Sequence, residues 1–230
     1  MKINPIRRRG FTLVELLVVI VIIASLAALS APMIIGKVKE AHKAEAISNA
    51  KQIGLAMFDF ENDYGSYPDG TTLADVAEAF PDADVEGEAG EDSNGYFKQL
   101  LQAGIIQSEE VFYAKAQGTK NPDGDISGSE ALAAREVGFG YILNGDTGLS
   151  TAGNSSRVIV VTPLAEDGTN FDADPFGGSA VTLRIDQSAT TPKIRPPKGS
   201  STGPAIIGGK SLLEAEFWGD ATPTIKAPKK

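Results

Sequence analysis

Between Phe11 and Ile35 the chain carries a nearly unbroken apolar run, and one carboxylate, Glu15, sits near its start. Leu16–Ile35 alone is 20 residues, and only Ser25, Ser30 and Pro32 in it are not apolar. As a helix that stretch is about 30 Å long, the thickness of a bilayer's hydrocarbon core. Lys2, Arg7, Arg8 and Arg9 precede it, and such a basic flank orients a span with that end inside. A secretory signal shares the basic start, but its apolar core is about 7–15 residues and a small-residue cut site follows. No such site closes this run, so a membrane helix is expected over 11–35. A carboxylate inside it costs roughly 2.5–3.5 kcal/mol on insertion scales, which marks Glu15 as functional.

Beyond Lys37 the chain turns amphipathic: Ile47, Ala50, Gly54, Met57 and Phe58 recur near helical spacing, with Lys43, Glu45, Lys51 and Asp59 between them. The helix is expected to run from Phe11 to about Tyr64 and to stop at Gly65 and Pro68. Pro32 lacks an amide hydrogen and is expected to kink it. Short helices are expected over 71–80, 94–103 and part of 108–116, and exposed loops over 81–92 and 119–129. Strands are expected over 137–143, 157–161, 181–185 and 215–218. Residues 190–203 read as a Pro/Ser/Thr-rich loop and 221–230 as a mobile tail. The fold class is α+β: a long N-terminal helix, its first half transmembrane, packed on a small antiparallel sheet with extra short helices and loops. The implied divisions are 1–10, 11–35, 36–65, 66–220 and 221–230.

Arg9-Gly-Phe-Thr-Leu-Val-Glu-Leu-Leu17 resembles the processing site of type IV prepilins and type II secretion pseudopilins. The resemblance implies a leader over 1–10, cut after Gly10 by a prepilin peptidase, and N-methylation of the new terminus, Phe11. It implies that Glu15 of an incoming subunit meets the Phe11 amine of a neighbour during assembly, and that Pro32 is the helix kink. A cationic amine beside hydrocarbon is costly unless a carboxylate offsets it, and methylation keeps its charge. Asp63-Tyr-Gly-Ser-Tyr-Pro68 is similar to the segment after the first helix of the major pseudopilin. Partners implied are other copies of the chain, other pilins or pseudopilins, the peptidase, an inner-membrane assembly platform and the bilayer, with the globular part on the periplasmic side.

The 230 residues contain no cysteine, so disulfides and thiolate chemistry are excluded. Net charge is −9; beyond the leader 17 bases face 30 acids, leaving −13. That acidity argues against nucleic acid, whose phosphates need clustered Lys or Arg. His42, the one histidine, is a solvent-facing helical residue on this reading. Gly203–Ser211 looks like a phosphate loop, but the first glycine falls on Pro204, so a turn is expected. No catalytic constellation emerges, and an enzyme is not expected. Calcium is the candidate cofactor: Asp123, Asp125 and Gly128 match the first half of a calcium loop whose twelfth position is Ala134. Asp167, Asp172 and Asp174 form the second candidate set, because Asp174-Pro-Phe-Gly177 resembles an element of the major pseudopilin near a calcium-binding loop. The same residues admit a surface type IV pilin or, remotely, a membrane-tethered binding protein or enzyme.

Overall fold

The computed structural model describes residues 11–81 and 90–230. The leader over 1–10, with Gly10, and most of the acidic loop lie outside the described residues. The chain divides into two compact units, Met1–Val38 and Lys39–Lys230.

One helix, α1 (Leu13–Tyr64), belongs to both. A capping box starts it. Thr12 Oγ1 accepts from the Glu15 amide at 3.2 Å, and Glu15 Oε2 accepts from the Thr12 amide at 2.8 Å and its hydroxyl at 2.7 Å; two orphan amides of the first turn are thereby satisfied. In the first unit the large apolar side chains are exposed all round the helix, from Leu13 at 84% to Val38 at 46%. The helix bends between Leu29 and Met33, the stretch that holds Pro32. Among the described residues no single straight helix is long and apolar enough to cross a membrane, whereas the bent pair passes together.

In the second unit α1 becomes one-sided. Ala46, Ala50, Ile53, Met57 and Phe60 are buried, following the i, i+4, i+7 spacing of a single face. Phe58, expected on that face, is instead exposed; it follows Met57 by one position and so points about 100° away. The helix ends at Gly65, whose φ of +84° and bond to the Glu61 carbonyl form a left-handed cap. α2 (Gly70–Ala79) is capped by Asp69 and α3 (Ser93–Gln102) by Asp92.

The sheet is antiparallel and contains β1 (Gly140–Asn144), β2 (Val158–Thr162), β4 (Val181–Arg184), β5 (Ala189–Thr190) and β10 (Pro223–Lys226), in the order β10-β1-β2-β4-β5. Every residue of β2 is buried. Thr182, which alternates with the apolar Val181 and Leu183, is also buried, its hydroxyl within 2.8 Å of Thr190 Oγ1. Gly54 of α1 lies where an added Cβ would fall 2.3 Å from Gln187 Oε1 and 2.6 Å from Leu183 Cδ2. Glycine therefore sets how closely helix and sheet approach.

Three expectations are corrected. The tail is not free: Pro223–Lys226 pairs with β1, and past it the Ala227 and Lys229 carbonyls accept from the Ser93 and Arg135 amides. Residues 215–218 are not a strand; Leu212–Glu214 and Glu216–Trp218 are 3-10 turns that bury Trp218, whose indole donates to the Leu212 carbonyl at 2.8 Å. The 190–203 loop contains β6 (Lys193–Ile194) and β7 (Thr202–Gly203); β7 pairs with β3 (Phe171–Asp172), and β6 joins β8 (Ala205–Ile207) and β9 (Lys210–Ser211). The phosphate-loop lookalike is the β8–β9 hairpin, turned by Gly208 and Gly209, both at positive φ as a two-residue primed turn requires.

Candidate assembly site

Phe11 and Thr12 precede α1, and Glu15 completes its first turn. Glu15 is thus engaged within its own chain: one oxygen takes both the Thr12 amide and the Thr12 hydroxyl. That arrangement satisfies the carboxylate locally in a helix that otherwise presents hydrocarbon. A cationic partner from another subunit has to compete with these two bonds to draw Glu15 away.

A family model described as the prokaryotic N-terminal methylation motif matches residues 6–31. Over 131 residues the chain is 30% identical to the type II secretion system core protein G of Aeromonas hydrophila, covering 52% of this chain and 91% of that protein. The chain belongs to the family of type II secretion pseudopilins and type IV pilins. The type II secretion system core protein G of Klebsiella pneumoniae is 31% identical over 132 residues, with 52% of this chain and 93% of that protein covered. A type IV major pilin protein, PilE1 of Neisseria gonorrhoeae, is 35% identical over 81 residues, covering 35% of this chain and 48% of that protein. No solved structure matches. The long N-terminal helix on an antiparallel sheet is a pilin-like fold, and its apolar first half marks a membrane-anchored subunit that assembles into a filament.

The five aspartates expected as calcium ligands are not brought together. Asp167 holds its own turn, accepting from the amides of Thr169 and Asn170 and from Asn170 Nδ2; the Asn170 side chain lowers its pKa, burial opposes this, and the two amides lower it further. Asp172 Oδ1 accepts from the Asp174 amide at 3.0 Å, and Asp174 pairs with Lys39 Nζ at 2.7 Å. Asp125 accepts from the Ser127 hydroxyl and amide, which lower its pKa. Asp123 Oδ1 accepts from the Asp125 amide at 3.0 Å. Among the described residues, the carboxylates that converge are Glu109, Asp123 and Glu136, with ligand oxygens within 4.8 Å of one another.

Glu109 and Glu136 do not stand out as a pair in the sequence: a 3-10 turn and a loop contribute one each, without motif spacing. Both are buried. Glu109 accepts from the amides of Gly124 and Leu132, and Glu136 from that of Ala133. Burial pushes the Glu109 carboxyl up; those amides oppose the rise, while Glu136 and Asp123 add to it. Lys120 Nζ lies 3.2 Å from the second oxygen of Glu136. Leu132 and Arg135, between the two acids' contacts, hold left-handed φ of 48° and 73°, a conformation that persists only where surroundings enforce it. The carboxylates brace this strained turn, and Lys120 pairs with Glu136 Oε1, a buried oxygen that takes no hydrogen bond.

Proposed function

We propose that this chain is a non-enzymatic subunit of a pseudopilus of the type II secretion kind. The observation that carries the reading is the extent of the match to the core protein G relatives, which includes nearly all of each and is not confined to the N-terminal motif. A peptidase cuts between Gly10 and Phe11, and Phe11 is then N-methylated. Glu15 leaves its bonds with Thr12 and pairs with the Phe11 amine of the subunit above, which fixes the axial register. The surrounding apolar helix passes from lipid to the helical core of the filament without meeting water. Partners are further copies, other pilins or pseudopilins, the prepilin peptidase and an inner-membrane assembly platform, and the head lies on the periplasmic side.

A surface type IV pilin is the second reading. It draws support from the size of the head: the match uses 52% of this chain but 91% of the core protein G relative, leaving this head with additional surface. Shearing cells and fractionating them tests the choice. A pseudopilin stays in the envelope and its deletion abolishes secretion; recovery in sheared fibres, with secretion intact on deletion, overturns the first reading in favour of the second. Glu15→Ala removes assembled filament in either case, while membrane-bound precursor persists.

A further inference from the structure

The head carries a groove along α1 that no other segment among the described residues fills. One wall is the helix, at Glu45, Asn49 and Gln52; the other is the 108–113 segment, at Ser108, Val111 and Tyr113. Its volume is about 620 Å³. A second concavity of about 380 Å³ continues it past Leu55 to Asp59 and shares Gln52, Ser108 and Val111. Asn49 Nδ2 clamps the walls together, donating to the carbonyls of Glu110 and Tyr113 at 3.0 Å each. The first concavity is lined mostly by polar side chains with Val111, Tyr113 and Pro122 among them, and the second mostly by apolar ones; the acids Glu45, Asp59 and Glu110 are exposed, and so is Leu55 at 59%.

The chain also presents a segment of opposite character. Arg195-Pro-Pro-Lys198 follows β6, and Arg195, Pro197 and Lys198 are exposed. Among the described residues, Lys39, Lys120, Lys210 and Lys226 pair with acids, and neither Arg195 nor Lys198 does. Pro196 and Pro197 fix two backbone φ angles and the Ser200 amide closes a turn on the Pro197 carbonyl at 3.1 Å, so the segment is pre-ordered and docking it costs little conformational entropy; Pro-rich segments seat in grooves lined by aromatic and apolar side chains. None of residues 190–203 lines the groove of its own chain.

We propose that the groove receives Arg195–Lys198 of a second copy of this chain, with Arg195 and Lys198 against Glu45, Asp59 and Glu110 and the prolines over Val111 and Tyr113. Two different patches of one chain then meet, which makes the contact head-to-tail. Such a contact propagates as a helical array wherever its rotation does not close into a ring. The inference rests on the filament reading above and names the head surface by which neighbours recognise one another.

The chain's lack of cysteine permits a direct test in the assembled full-length protein. Gln52→Cys and Lys198→Cys together give a ladder of covalent oligomers on oxidation, and neither substitution alone does. Arg195→Glu with Lys198→Glu lowers filament yield by about tenfold at low salt, as does Glu45→Lys with Glu110→Lys; combining all four restores it. The melting temperature of each variant matches the parent, which separates assembly from folding. Filaments that form normally in both charge-reversed variants, with no ladder, overturn the inference and leave the filament reading standing. A disulfide between the Gln52→Cys chain and a different protein, with no self-ladder, overturns it too and assigns the groove to another subunit. A parent chain that never polymerises overturns the filament reading itself.

Discussion

Gly54→Ala tests the docking of the helix on the sheet. In an ordinary helix interior this change is worth about 1 kcal/mol in favour of alanine. Here the new Cβ falls 2.6 Å from Leu183 Cδ2 and 2.3 Å from Gln187 Oε1. Leu183 is fully buried in β4 and has no room to retreat. Gln187 is the flexible partner, but moving it breaks the bond from its Nε2 to the Gly54 carbonyl at 3.1 Å. Overpacking of this kind costs typically 1–3 kcal/mol and the lost hydrogen bond about 1. Net destabilisation is therefore about 1–3 kcal/mol after the helix gain, or about 2–12 °C in melting temperature for a domain of this size. Urea unfolding of the detergent-solubilised chain, followed by the fluorescence of its one tryptophan, Trp218, reads it. Gly36→Ala is the control, since nothing lies within 4 Å of its added Cβ; it leaves the head's midpoint unchanged. A Gly54→Ala chain at least as stable as the parent would refute the close approach of α1 to β4.

Asp69 carries a second prediction. Burial alone would raise its pKa, but bonds from the Thr71 hydroxyl and from the amides of Thr72, Gly148 and Thr71 hold it below the ordinary aspartate value. A depressed folded pKa stabilises above the unfolded value of about 3.9 and ceases to do so as pH falls through the folded one. Asp69→Asn should thus be less stable than the parent by about 1–3 kcal/mol at pH 7, with the gap closing as pH falls below the ordinary aspartate value and through the lowered folded one; a gap constant with pH contradicts this. Removing residues 223–230 strips β10 from β1 across four register pairs and should cost about 2–6 kcal/mol, at one hydrogen bond per pair and about 0.5–1.5 per bond. It also opens a sheet edge to self-association, visible by gel filtration; an unchanged midpoint would return the tail to the mobile class. Calcium at millimolar concentration should leave the melting temperature within about 1 °C, because a native-state ligand must raise it and Lys120 and backbone amides already occupy the converging acids; a rise of several degrees would show that the ion displaces Lys120.

Much of the fold was legible because local signals and tertiary packing agreed. The apolar run, the Gly65 stop, the two short helices and the β-branched strands each follow from periodicity or turn chemistry acting over a few residues. The misses arise where long-range partners decided. Pro223–Lys226 reads as a tail in a sequence ending Lys-Ala-Pro-Lys-Lys, since no local pattern announces that β1 has a vacant edge. Glu216-Phe-Trp218 reads as a strand by composition, yet the indole's bond to the Leu212 carbonyl favours a tight turn. At the functional end, Glu15 was evident as a lone acid in hydrocarbon, and its capping box with Thr12 has the Thr-x-x-Glu spacing that signals one in sequence, a signal the membrane reading of the run passed over. The cluster of Glu109, Asp123 and Glu136 was invisible because its members lie up to 27 residues apart in sequence and meet only through the fold.

Membership of a filament depends most on the chain being processed as its N-terminal motif directs. Mass spectrometry of the N-terminal peptide from membrane-extracted protein tests that directly. It should begin at Phe11 with one methyl group on its amine, and the precursor should accumulate when the prepilin peptidase is absent. A mature chain that retains Met1, or one cut beyond Ile35, would contradict it.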